Sequence, residues 1–299
     1  MPAVPAVPPG HSARGAALMV ASAACFTANV LLVRLLGEMH AANSWLVCCV
    51  RFVVGLLMIG TVYRREFQPG HLIRRRQLIE RGVVGGIGVY VTYLTVIQLG
   101  AGRATFIGNT YPIWGALLAA WILRERLQPG VLAGGLAAIA GLGLLTSVFS
   151  TNTHPGIYDL LAFTGAWLSA YVVVTIRQLH ATEHTSTIFA AQCAYGLVIC
   201  AVPGVLTWTP LPAGAWAVML AAGVCAGGGQ LTMTRAFRDL PVGEGSLLQM
   251  LVPLGTAAGG MVFFGERFAL REAAGAALIV AGTAFILLRQ PDPANAEAE

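Results

Sequence analysis

Residues 111–126 read YPIWGALLAAWILRER, and residues 252–267 read VPLGTAAGGMVFFGER. Each is an apolar run with a proline near its start and a Glu-Arg pair at its end. A single offset of 141 positions places Pro112 on Pro253, Glu125 on Glu266 and Arg126 on Arg267. The same offset carries Gly102 onto Gly243, Gly134 onto Gly275 and Gly141 onto Gly282, with no gap between them. Earlier in each half, Arg34 falls near Arg177 at a slightly different offset. The chain therefore reads as an internal duplication.

The repeated unit is a membrane unit. Of 299 residues, 57% are hydrophobic and only 10% charged, against about 25% charged in an ordinary soluble domain. Apolar runs of about 20 residues, the length needed to cross a bilayer as a helix, recur along the whole chain. Continuous runs, rather than alternation, point to helices and not to a barrel. The expected fold is an all-α membrane protein with ten transmembrane helices in two inverted five-helix repeats. The spans are read at 15–36, 43–63, 79–99, 104–123, 129–148, 157–178, 186–206, 212–236, 243–264 and 271–289. This divides the chain into a disordered cytoplasmic N-terminus (1–14), a first repeat (15–148), a second repeat (157–289) and a cytoplasmic tail (290–299). Arg14 followed by GAALMVASAACF imitates a signal peptide, but the apolar run continues to about Leu36, too long for a cleaved signal.

All 18 basic residues are arginine, and the net charge of +5 reflects membrane orientation rather than nucleic-acid binding. With the N-terminus inside, thirteen arginines fall in inner segments and four in outer loops, so both termini are expected in the cytoplasm. Five spans are an odd number, so the second copy runs inverted relative to the first. Inverted repeats let one sequence build both an inward and an outward gate. The six cysteines lie inside apolar runs without metal spacing and read as small buried hydrophobes. Glycines spaced by four, at 82 and 86, 223 and 227, and 255 and 259, read as close-packing positions.

The doubled P…ER…G…G pattern, together with RFVVGLL around Arg51 and Phe52, resembles the drug/metabolite transporter superfamily, and within it the EamA-type ten-span proteins. The resemblance covers roughly residues 15–289. It implies two five-helix bundles around a central cavity that opens alternately to each side. It also implies small organic solutes, commonly amino acids or metabolites, often moved outward.

Pro112 and Pro253 each remove one intrahelical hydrogen bond and are expected to bend their spans, freeing the carbonyls of Gly108 and Gln249. A packing kink is the plainer alternative; its presence in both halves favours a gate hinge. Glu125, Arg126, Glu266 and Arg267 mark where those spans end. They serve either as gate locks, Glu125 pairing with Arg124 or Arg126 and Glu266 with Arg267 or Arg271, or as charges that stop the span. Arg51 falls mid-span, where an arginine costs roughly 2.5–3.5 kcal/mol and turns to the protein interior. It bonds either to helix carbonyls or to a substrate carboxylate; the resemblance, which implies an arginine here for any substrate, favours the carbonyls. Substrate-binding candidates are Asn29, Tyr93, Asn109, Trp167, Tyr171, Gln230 and Gln249, polar or aromatic groups that a cavity needs and hydrocarbon penalises. For each, an interhelical hydrogen bond is an equal alternative.

No Asp, Glu or His falls at the centre of a span, so transport is expected to be facilitative or coupled near the membrane surface. With Arg51 as the only central charge, a neutral or zwitterionic solute fits better than a nucleotide sugar or a lipid-linked one. No HExxH, GxSxG or intramembrane carboxylate pair supports an enzyme. A receptor or structural membrane protein without flux is the remaining rival, and inversion argues against it. The expected partners are a small-molecule solute and the lipid bilayer, in a monomer or weak dimer of a bacterial inner membrane, with no cofactor, metal or nucleic acid.

Overall fold

The computed structural model describes residues 11–39, 43–99, 101–125, 129–146, 156–265 and 269–288. Every regular element among them is helical. In chain order they are α1 (His11–Glu38), α2 (Ser44–Val62), α3 (Pro69–Arg74), α4 (Arg76–Leu99), α5 (Ala101–Gly108), α6 (Tyr111–Ile122) and α7 (Pro129–Leu145). They continue as α8 (Ile157–Leu179), α9 (Thr185–Leu206), α10 (Ala213–Asp239), α11 (Val242–Leu248), α12 (Leu251–Phe264) and α13 (Leu270–Leu288). Among the described residues, six segments are long and apolar enough to cross a membrane: Ala13–Glu38, Ser44–Val62, Ile157–Leu179, Thr185–Leu206, Ala213–Asp239 and Val242–Phe264; Pro129–Leu145 is a shorter apolar helix.

Two apolar runs are interrupted. α5 gives way to α6 at Asn109–Thr110, and α11 to α12 at Gln249–Met250. Each interruption is a tightened right-handed turn. Thr110, Gln249 and Met250 keep helical dihedrals, and the chain closes with short bonds such as Thr110 N–H to Ile107 O (3.1 Å) and Val252 N–H to Gln249 O (3.0 Å). Pro112 and Pro253 lie just past the breaks, in the first turn of α6 and α12, where the missing N–H would have no helical partner anyway. The break thus precedes each proline instead of sitting under it. The carbonyl of Gln249 is taken by Val252 N–H rather than left free.

The arginine-dense stretch 64–78 is not a bare loop. It contains α3, which is tied to α9 and the turn before it. Tyr195 Oη–H donates to Leu72 O at 2.9 Å, and His71 and Arg75 both reach the buried carboxylate of Glu183, at 2.9 and 3.0 Å.

Glycine sets the closest helix approaches. α7 crosses α13 where a Cβ on Gly141 would stand 2.6 Å from Gly275 O, and one on Gly282 would stand 2.6 Å from Gly134 O. Only hydrogen fits there. Elsewhere α1 lies along α10 and α12, α4 along α8 and α9, α2 along α9 and α10, and α6 along α8. The largest cluster of buried apolar side chains, including Met19, Leu78, Ile176, Ile188, Phe237 and Leu248, sits toward the end of the bundle that carries Arg75, Glu125 and Arg177.

Candidate functional site

The polar side chains of the interior fall into separate groups. The first joins α2, α4, α9 and α10. Tyr93 of α4 packs against the apolar clusters that contain Val50 and Phe52 of α2, and Arg51 of α2 donates to Gln230 Oε1 of α10 at 3.5 Å and stands 5.9 Å from the ring of Phe26. Its partners are side chains and not helix carbonyls, contrary to the favoured sequence reading.

Arg81 belongs to the same layer and was missed by sequence reasoning, which counted it among the inner-surface charges. It is 0% exposed. Its Nη2 donates to Gln192 Oε1 of α9 at 3.0 Å, while Nε and Nη1 have no hydrogen-bond partner. Arg81 is thus a second buried cation, near the start of its span rather than at its centre, that the argument for a neutral or zwitterionic solute did not count. A signal was available: Arg81 lies one turn before Gly85, the glycine that gives its guanidinium room.

A second group ties α1 to α10 and α11. Ser22 Oγ–H donates to Gly229 O (2.7 Å) and accepts from Gln249 Nε2 (2.9 Å), and Asn29 Nδ2 donates to Ala222 O (2.9 Å). Asn29 and Gln249 thus use their amide donors to hold helices together, which is the interhelical alternative to substrate binding.

The third group is aromatic. Trp114, in the first turn of α6, stacks on Trp167 of α8 with ring centroids 5.3 Å apart and meets Phe163 edge-on at 5.6 Å. Its indole N–H donates to Thr110 Oγ at 3.3 Å, so the aromatic face abuts the helix break. Asn109 turns inward on its own helix and donates to Thr105 O at 2.9 Å. Tyr171, one turn beyond Trp167, donates to Glu80 Oε2 at 3.2 Å, nearer the arginine-rich end. The two breaks are linked: Tyr111 Oη–H reaches Ser246 O of α11 at 3.4 Å.

Glu125 stands apart from these groups. α6 ends with Arg124 in the left-handed region (φ 57°), and the turn brings Glu125 N–H back to Ala119 O at 3.4 Å. The carboxylate then accepts from Arg177 Nε (3.2 Å) and from the backbone N–H of Val242 (3.1 Å), while Arg177 Nη1 donates to Phe237 O (3.1 Å) and Arg238 O (2.6 Å). Glu125 pairs with Arg177 and not with Arg124, because the left-handed turn aims it at α8. Arg126, Glu266 and Arg267 lie outside the described residues.

Discontinuous apolar helices meeting beside a buried layer of amides and guanidinium groups are the build of a membrane solute carrier. The EamA-like transporter family model matches residues 13–147 and again 156–288. The chain belongs to that family and is a multi-pass membrane transporter, not an enzyme. Similar proteins include the pseudopaline exporter of two Pseudomonas aeruginosa strains, each 27% identical over 237 residues, 77% of this chain and 81% of theirs. An uncharacterized transporter of Helicobacter pylori is 24% identical over 166 residues, 54% of each chain. A solved crystal structure shares the fold, with a TM-score of 0.76 at 18% identity over 92% of this chain and 98% of its own.

Proposed function

We propose that the chain exports small amino-acid-derived solutes by alternating access, through ten spans arranged as two inverted five-span halves with both termini in the cytoplasm. The observation that carries this reading is the pair of interrupted helices at matched positions. α5–α6 breaks at 109–110 and α11–α12 at 249–250, within one residue of the 141-position repeat. Broken helices of this kind form the sites of carriers built from inverted repeats.

Further observations support the inversion. The pairing of α1 with α10 becomes that of α8 with α4 when the halves are exchanged, and α1 with α12 becomes α8 with α6. Gly141 against Gly275 and Gly134 against Gly282 are one contact seen from its two sides. Arg124 and Gly265, 141 positions apart, both take left-handed backbone where α6 and α12 end. One family description matches both halves, and relatives named as exporters favour outward flux. The amides, aromatic rings and guanidinium groups of the interior suit a solute with a carboxylate.

Glu125 and Arg177 form the lock at the arginine-rich end. Arg34, whose guanidinium lies 4.1 Å from the ring of Phe264 at the end of α12, is the candidate for the same role in the other half. The test is flux of labelled amino acids and their acidic derivatives across liposomes holding the purified protein. Saturable flux of one class, lost in Trp167→Ala, is expected. No saturable flux of any amino-acid-derived solute, with or without a pH gradient, would refute the reading.

A further inference from the structure

The layer formed by Arg51 and Arg81 has more positive charge than the protein compensates. Arg81 is completely buried, and one neutral amide oxygen, that of Gln192, satisfies only its Nη2. Its Nε and Nη1 remain unpaired. Nη1 itself fills the room that Gly85 leaves, and a Cβ there would collide with it. Arg51 rests likewise on an amide oxygen, that of Gln230, through a long 3.5 Å contact.

The two cations share one level of the bundle. Phe52 of α2 and Gly86 of α4 both pack on Gly196 of α9, which sets Arg51 within about a turn of Gly85, the residue that Arg81 Nη1 lies against. Cys193 of α9 lies against Gly55, one turn beyond Arg51 on α2, and its chain neighbour Gln192 holds Arg81. The ion pairs at Glu38, Glu80, Glu125, Asp159 and Glu183 include neither Arg51 nor Arg81. An arginine keeps its charge when buried, and a buried charge without a counter-ion is strongly unfavourable.

We propose that Arg81 and Arg51 form an anion seat, and that the solute carried is acidic, presenting a carboxylate to the unpaired N–H groups of Arg81. The proposal rests on the chain being a solute carrier whose site includes this layer. It replaces the neutral solute expected from sequence with a small carboxylic acid. Two guanidinium groups at one level favour a solute with more than one carboxylate.

The experiment is the melting temperature of the purified full chain in detergent, with glutarate and citrate as acidic probes. Glutaramide serves as the uncharged isostere of glutarate, and sodium chloride is matched for ionic strength. Wild type is expected to gain several degrees with an acidic probe and none with glutaramide or chloride. Arg81→Gln should lose that gain while its own melting temperature stays level or rises, because an uncompensated charge has been removed. A purely structural arginine would instead lower it. Arg81→Lys, which keeps the charge but has fewer donors, should retain a reduced gain. Arg76→Gln, an exposed residue five positions earlier that pairs with Glu80, should retain the full gain. The proposal is overturned if neither acid shifts wild type, if glutaramide or chloride shifts it equally, or if Arg81→Gln keeps the gain. Binding is read here without flux, so a liposome experiment showing no transport would sink the carrier reading and leave the anion seat standing.

Discussion

Removing the carboxylate of Glu125 should unlatch the arginine-rich end of the bundle. That carboxylate binds three elements at once: it leaves the end of α6, accepts from Arg177 on α8, and accepts from the Val242 N–H that opens α11. Hydrogen bonds to charged groups contribute about 1.5–3 kcal/mol each, and breaking a buried ion pair costs about 3–5 kcal/mol. The Arg177 side chain is 6% exposed and that of Glu125 18%, so water replaces part of the loss. Arg177 also keeps its two carbonyl acceptors. A cost of about 3 kcal/mol for Glu125→Ala follows, roughly a hundredfold in the latched population. Hydrogen exchange across residues 240–248 is the direct assay, because the Val242 amide is itself held by the carboxylate. Protection there should fall about a hundredfold in Glu125→Ala. It should fall less in Glu125→Gln, which keeps an acceptor but not the charge. Glu38→Ala removes an exposed partner 4.0 Å from Arg34 and, as a surface pair, should leave the same peptide unchanged. If Glu125→Ala exchanges like wild type, or if Glu38→Ala matches it, the latch does not hold this end.

Three further outcomes follow from local physics. The His180 ring donates to Thr234 O at 2.6 Å, and burial, reinforced by Arg235, Arg238 and Arg177, holds its pKa down to about 4. The unfolded chain therefore binds the extra proton first, so the stability from the neutral ring is present above pH ~6.5 and is lost as pH falls toward 4. That loss is about 3 kcal/mol, and melting temperature against pH should flatten over this window in His180→Gln. Gly141→Ala forces a methyl to 2.6 Å from Gly275 O and should destabilise by about 2 kcal/mol or more. Gly60→Ala, with nothing within 4 Å, should be neutral or stabilise by up to about 1 kcal/mol; thermal melting separates the two. Arg124→Gly relieves a left-handed residue at φ 57° and should raise stability by about 0.5–1 kcal/mol without altering exchange at Val242.

Long apolar runs are visible in sequence because a bilayer demands them, and the run ends at 36, 63, 99 and 206 lie within a few residues of where helices stop. The spaced glycines were also legible, since they stand where helices cross: Gly82 on Ala191, Gly86 on Gly196, Gly255 on Thr27 and Gly259 on Leu31. What stayed hidden depends on partners far along the chain. Asn29 and Gln249 are polar residues in apolar runs, and nothing local distinguishes a solute contact from a bond to Ala222 or Ser22, 193 and 227 positions away.

Arg81 shows why the charged centre was illegible. It sits two residues inside an apolar run, where an arginine normally snorkels to the surface and signals orientation. Its burial requires Gly85 on its own helix to yield space and Gln192, 111 positions away, to offer an oxygen. Arg51, placed mid-run, announces its cost at once; Arg81 hides the same cost at a span boundary. The two together change the chemistry of the interior. A single mid-membrane arginine bonded to amides is compatible with a neutral cargo. A pair at one level, with two unpaired nitrogens, favours an anion. The empty site then carries a charge that an acidic solute neutralises, so the solute-bound state gains stability relative to the empty one. A carrier must later release what it binds, and because the donors stand on different helices, Arg51 on α2 and Arg81 on α4, a relative movement of those two helices is the means of separating them again.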